Sequence, residues 1–126
     1  MKKTCLITGA SRGIGYATAK ILAKEGYNIV INYNTSEDKA LALQEELKNM
    51  GAETLLVKCD ISNENQVKEM VTAILKKFGK IDFLCNNAGI AIDTLFQDKT
   101  VENFKKILDT NLIGTFLVSK YVGEIM

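Results

Sequence analysis

A chain of 126 residues, 47% apolar and 25% charged, reads as one globular domain spanning 1–126, long enough to bury a core. A net charge of +1 argues against nucleic-acid or membrane-surface partners, and no stretch approaches the ~18 apolar residues of a membrane span. No histidine and no Cys-x-x-Cys pair occur, which argues against a zinc or other transition-metal site; Cys5, Cys59 and Cys85 read as small core residues. Met1-Lys2-Lys3 mimics the head of a secretory signal, but Gly9 and Arg12 cut the apolar run behind it. The cytoplasm is the expected compartment.

The elements alternate in chain order. A strand over 3–8 is followed by a helix over 13–25, a strand over 28–33 and a helix over 36–50. A strand over 54–59, a helix over 63–78, a strand over 81–86 and a helix over 100–125 complete the chain. The first, second and fourth strands are nearly continuous apolar runs, as parallel strands covered on both faces are. Ala40, Leu43, Leu47 and Met50 share one helical face, as do Val67, Val71, Ile74 and Phe78. Gly26, Gly51 and Gly79 follow the first three helices, where a left-handed cap is wanted, and Ser36 and Ser62 or Asn63 suit helix starts. The alternation implies an α/β fold, a doubly wound parallel sheet with right-handed crossovers and helices in three α/β/α layers.

Between the first strand and the first helix runs Thr8-Gly9-Ala10-Ser11-Arg12-Gly13-Ile14-Gly15. Glycines at 9, 13 and 15 let the backbone approach a phosphate, and the helix behind them points free N–H groups and its positive end at it. Asp60 sits at the end of the third strand, over the crevice where open α/β sheets bind ligands; it also suits the cap of the following helix. Asn86-Asn87-Ala88-Gly89 follows the fourth strand, where the amides can each donate and accept. Asn111 interrupts an otherwise apolar helix, and once buried its amide must find partners.

The spacing Gly9-x-x-x-Gly13-x-Gly15 resembles the T-G-x-x-x-G-x-G of the short-chain dehydrogenase/reductase family. Asp60-Ile61, Asn86-Asn87-Ala88-Gly89 and Asn111 in Asn111-Leu112-Ile113-Gly114-Thr115-Phe116 match that family's later motifs in order, across essentially the whole chain. The resemblance implies a Rossmann-type sheet in the order 3-2-1-4 and a nicotinamide cofactor. It implies cofactor contacts from Gly9, Ser11, Arg12, Gly13, Ile14, Gly15, Asn32, Asn34, Thr35, Asp60, Ile61, Asn87, Ala88 and Gly89. Asp60 would meet the adenine amino group. Asn111 is the one member of the family's catalytic set, distorting its helix and anchoring a water of the proton relay.

Two features favour NADP(H) over NAD(H). The basic residues are fifteen lysines and one arginine, and that arginine, Arg12, lies in the glycine loop, where its fork suits the 2′-phosphate. NAD-binding domains place an acid at the end of the second strand; here it reads Asn32-Tyr33-Asn34-Thr35-Ser36, although Glu37 and Asp38 follow.

The family's chemistry is hydride transfer to a carbonyl carbon, with a serine and a Tyr-x-x-x-Lys pair beyond the helix asparagine. The chain ends at Met126, so the expectation is the N-terminal half of such a reductase, inactive alone. The literal Tyr16-x-x-x-Lys20 lies on the first helix, the wrong place for that role, and Tyr121 is followed at 125 by Ile. The fourth strand is then an apolar edge and the last helix an under-covered one, which predicts a homo-oligomer or a marginal domain. Within the family the resemblance is strongest to reductases of 3-oxoacyl groups on acyl carrier protein, an activity of fatty-acid synthesis. Sugar or small-alcohol dehydrogenases, or a non-catalytic dinucleotide-binding fragment, are the alternatives. A receiver domain, also doubly wound, would need acids after the first strand to hold magnesium, where this chain has Thr8-Gly9-Ala10-Ser11.

Overall fold

A computed structural model describes residues 2–90 and 95–126; Met1 of the lysine-bearing start lies outside them. The elements are β1 (Thr4–Ile7), α1 (Gly13–Lys24), β2 (Asn28–Tyr33), α2 (Glu37–Asn49), β3 (Thr54–Lys58), α3 (Glu64–Phe78) and β4 (Phe83–Cys85). A short 3-10 turn (Phe96–Asp98), α4 (Val101–Leu108), a π-helical stretch (Asp109–Gly114) and α5 (Thr115–Ile125) follow. No described helix is long and apolar enough to cross a membrane.

The four strands form one parallel sheet in the order β3-β2-β1-β4. Leu6 lies opposite Val30 on one side and Leu84 on the other, and Val30 lies opposite Leu55. Because successive strand residues point to opposite faces, the sheet splits its apolar side chains between two layers. Cys5, Ile7, Ile29 and Ile31 pack with Ala19 and Ala23 of α1 and Ala40, Leu43 and Leu47 of α2. Leu6 and Val30 pack on the other face with Val67, Met70 and Ile74 of α3 and Val118 and Val122 of α5. Each fully buried Leu, Ile or Val contributes roughly 1.5–3 kcal/mol of transfer free energy.

Helix ends follow local chemistry. Asn63 caps α3: its Oδ1 accepts from the Gln66 N–H at 3.0 Å, while Gln66 Oε1 reaches back to the Asp60 N–H at 2.8 Å. Gly26, Gly51 and Gly79 all take left-handed φ just past their helices. Ser36 stands at the start of α2, but its side chain makes no capping bond, a correction to the sequence expectation.

Two elements differ from their predicted spans. The fourth strand pairs only over Phe83–Cys85, where 81–86 was expected. Asp82 instead brackets the start of β1: its N–H donates to Thr4 O and its carboxylate accepts from Thr4 N, each at 2.8 Å. The Thr4 N–H, with Lys80 at 3.2 Å, holds the Asp82 carboxyl below its ordinary range. The single helix expected over 100–125 is divided by the π-helical stretch, as the family resemblance implied at Asn111. β4 is an edge, with Phe83 44% exposed, and the helices after it show Phe104, Leu112 and Phe116 more than half exposed.

Candidate cofactor-binding site

The C-terminal ends of the strands converge on one buried hydroxyl. Thr8 follows β1 with no solvent exposure, and its Oγ1 accepts from the N–H groups of Asn87 and Ala88, both at 3.0 Å. This draws the turn after β4 against the glycine loop. Asn87 Nδ2 closes the contact by donating to Gly9 O at 3.0 Å. The fit leaves no room for side chains: a Cβ on Gly9 would stand 2.7 Å from Ala88 Cα, and one on Gly15 would collide with the Asn87 amide.

The result is a cleft of about 690 Å³ along the strand ends. Of the expected cofactor contacts, Gly9, Ser11, Arg12, Gly13, Ile14, Asn32, Asn34, Thr35, Asp60, Ile61, Asn87, Ala88 and Gly89 line it. Gly15 lies behind the wall, where it admits Asn87. α1 opens into this cleft at Arg12 with no side-chain cap and no acid in its first turn. Its first N–H groups have no intrahelical partner, so the helix presents donors and a partial positive charge to an anion. Arg12 itself is extended, exposed, and outside the ion pairs of the described residues.

Asn32 lines the cleft and also braces it. It is 2% exposed; its Oδ1 accepts from the Gly9 N–H at 3.1 Å and its Nδ2 donates to Cys59 O at 3.1 Å. Its amide therefore holds the loop after β1 to the end of β3. Asn34 and Thr35 beyond it are exposed on the rim. Asp60 does not cap α3, a role Asn63 takes: its Oδ1 accepts from the Ser62 N–H and hydroxyl at 3.0 and 2.7 Å, and its Oδ2 takes no bond from a described residue. Asn86 turns away and donates to Ser119 Oγ at 3.0 Å.

Asn111 lies in the π-helical stretch, and the structure corrects its expected burial, because the residue is exposed. Its amide is nonetheless paired at both ends with Ile90, accepting from the N–H at 2.7 Å and donating to the carbonyl at 2.9 Å. Gly114 closes the same stretch against Ile61, whose Cγ1 would be 2.6 Å from a Cβ there. Lys106, Asp109 and Thr110 complete the cleft wall and carried no motif. Their signal was only helical spacing: positions i, i+3 and i+4 share a face.

Two thiols and the Tyr16–Lys20 pair are held by burial or by internal partners. Burial, with Cys85 nearby, pushes the Cys5 thiol up to about 12. Burial, with Asp60 and Glu69 nearby, raises Cys59 likewise to about 12. Neither is a thiolate nucleophile at neutral pH. Tyr16 donates to Glu46, and that bond raises the phenol above its ordinary range; Lys20 pairs with the same carboxylate at 3.2 Å. This tyrosine and lysine serve Glu46 between α1 and α2.

Comparison with known proteins agrees with this architecture. The sequence model of the short chain dehydrogenase family matches residues 3–126. A 3-oxoacyl-[acyl-carrier-protein] reductase FabG of Staphylococcus epidermidis is 44% identical over 116 residues, 92% of this chain and 48% of the relative. A 3-oxoacyl-[acyl-carrier-protein] reductase of Synechocystis is 41% identical over 98% of this chain and 50% of the relative. A short chain dehydrogenase from Burkholderia cenocepacia, solved in complex with NADP, superposes with a TM-score of 0.93 at 31% identity, over 98% of this chain and 51% of that one. The chain spans about half the length of the curated relatives it matches.

Proposed function

The chain belongs to the short-chain dehydrogenase family, and from that premise we propose that its cleft binds NADP(H) for the reduction of a carbonyl substrate. The observation that carries this reading is the uncapped start of α1 beside an Arg12 that forms no ion pair among the described residues. An anion there meets backbone N–H donors and a guanidinium fork without displacing any internal partner. The glycines at 9 and 15 fit the same purpose, since side chains there would push the Ala88 and Asn87 wall away from the loop. Asp60 Oδ2 offers an acceptor for an adenine amino group, and Asn34 and Thr35 lie at the ribose end of the cleft.

When bound, the nicotinamide supplies a hydride. The residues of this chain bind, orient and hold. The helix start and Arg12 take the phosphates; Thr8, Asn32 and Asn87 fix the loop and wall; Asn111 holds the Ile90 backbone beside Gly89. Carbonyl protonation needs an acid with a lowered pKa. Tyr16 and Tyr121 are shifted the other way, each by its bond to a glutamate, Glu46 and Glu64 respectively. We therefore assign these residues to cofactor binding. The substrate proposed is a 3-oxoacyl group on acyl carrier protein, on the strength of the relatives at 41–44% identity; a sugar or small alcohol is the alternative within the family. Association through the exposed apolar face of α4 and α5 follows from the same reading, and a light-scattering mass tests it.

Titration of the protein with NADPH and with NADH, for wild type and Arg12→Ala, tests the cofactor assignment. A charge-assisted contact is worth roughly 1.5–3 kcal/mol, so the variant loses about ten- to a hundredfold for NADPH and little for NADH. Equal losses for both cofactors would overturn the NADP(H) assignment.

A further inference from the structure

The turn between β3 and α3 is fixed at every main-chain group that matters to Asp60. The Asp60 N–H donates to Gln66 Oε1 at 2.8 Å, and the Asp60 carbonyl accepts from the Asn63 N–H at 3.0 Å. Ile61 between them is 4% exposed and abuts Gly114. These contacts leave the carboxylate itself free to turn, because the terminal torsion of an aspartate is broad. Ser62 supplies that restraint: its N–H and its hydroxyl both donate to Asp60 Oδ1, at 3.0 and 2.7 Å. Asp60, Ile61 and Ser62 all line the cofactor cleft, and Asp60 belongs to no ion pair of the described residues. The carboxylate therefore has one oxygen held by two donors and one without a partner among the described residues.

We propose that Ser62 is a positioning residue for recognition of the cofactor's base: it holds Asp60 by Oδ1 so that Oδ2 is presented to the 6-amino group of adenine. The proposal rests on the cofactor reading above and adds to it a residue that acts through Asp60. An ionised carboxylate only accepts, so it suits the 6-amino donor of adenine and opposes the 6-oxo acceptor of hypoxanthine. Holding one oxygen before the cofactor arrives spares the cost of freezing the side chain on binding. The same two donors decide how an amide would sit in this place. In Asp60→Asn the amide oxygen stays on the Ser62 donors, and Nδ2 takes the position of Oδ2. The site then offers a donor in place of an acceptor, and the order of preference between the two bases reverses.

The experiment is a binding titration of the whole protein with NADPH and with its hypoxanthine analogue, for wild type, Ser62→Ala, Ser62→Thr and Asp60→Asn. Ser62→Ala is expected to weaken NADPH about three- to tenfold and to leave the analogue unchanged. Ser62→Thr keeps the hydroxyl and restores the wild-type ratio, and Asp60→Asn prefers the analogue. A serine that only stabilises the turn would affect both ligands alike. An equal loss or an unchanged ratio in Ser62→Ala therefore overturns this proposal alone, as does a Ser62→Thr variant that behaves like Ser62→Ala or an Asp60→Asn variant that still prefers adenine. Wild type that binds NADPH and the analogue equally overturns the Asp60 contact with adenine together with this proposal. Wild type that binds neither overturns the cofactor reading as well.

Discussion

Alanine at Gly9 and, separately, at Gly13 divides the cost of the glycine loop into two physical parts. The two glycines have nearly the same backbone, with φ of 62° and 64°. A Cβ on Gly13 meets nothing within 4 Å, so Gly13→Ala carries only the left-handed strain, about 1–2 kcal/mol. A Cβ on Gly9 would stand 2.7 Å from Ala88 Cα and 3.2 Å from Ala88 N, both backbone atoms that cannot swing aside. Relief requires the turn after β4 to move, which loosens the bonds from the Asn87 and Ala88 N–H groups to Thr8 Oγ1. At about 1 kcal/mol for each bond lost, Gly9→Ala should cost about 3–4 kcal/mol in total. That is a large share of the roughly 5–15 kcal/mol by which a domain is stable. Urea unfolding followed by circular dichroism, with m held to the wild-type value, gives the difference. A Gly9→Ala variant already unfolded in buffer, beside a folded Gly13→Ala, agrees in sign. Losses for the two variants within about 0.5 kcal/mol of each other would refute the argument that close approach, beyond φ, fixes Gly9.

Two further predictions concern the wall and the thiols. Thr8→Val keeps the side chain's shape but leaves the Ala88 N–H without its acceptor and the Asn87 N–H with Cys85 O alone, so it should cost about 1–3 kcal/mol, whereas Thr8→Ser should cost much less; the same urea curves decide it. Cys5 and Cys59 ionise near 9 when unfolded and about 12 when folded, so the folded state holds their protons more tightly. Their contribution is complete below pH 9 and is lost as the pH rises from 9 towards 12, and melting temperatures should fall across that window. Replacing both cysteines with alanine should flatten that part of the profile, and an unchanged slope would refute the assignment.

The order of elements and the glycine loop were legible because their signals are local. A βα alternation with glycines past three helices leaves few topologies, and the loop's spacing sits between a strand and a helix. The position of the cleft followed, since Asp60 and Asn87 end strands that the sheet order brings beside the loop. What stayed hidden depends on partners distant in sequence. The pairing of the Asn32 amide, near the end of β2, shows only in the approach of Gly9 and Cys59. Asn111 looked like a buried helix residue because its neighbours are apolar, yet that apolar face is the exposed one. Lys106, Asp109 and Thr110 reach the cleft through the course of α4 and the π-helical stretch, which spacing alone does not orient. Ser36 has the residue type of a cap without the geometry, a distinction composition does not carry.

Two asparagines give the rim of the sheet a property of its own. A peptide unit has one donor and one acceptor, and so does a carboxamide. Asn32 spends the pair between Gly9 and Cys59, and Asn111 spends it on the two polar groups of Ile90. Each acts as a detached link of main chain, extending the ladder of the sheet beyond the last strand residue into loops that have no ladder. Leucine would match the amide in bulk and aspartate in outline, but the first has neither pole and the second has lost the donor. What these two positions select is the order of donor and acceptor along a side chain, so the rim stays in register by polarity where the strands can no longer hold it by pairing.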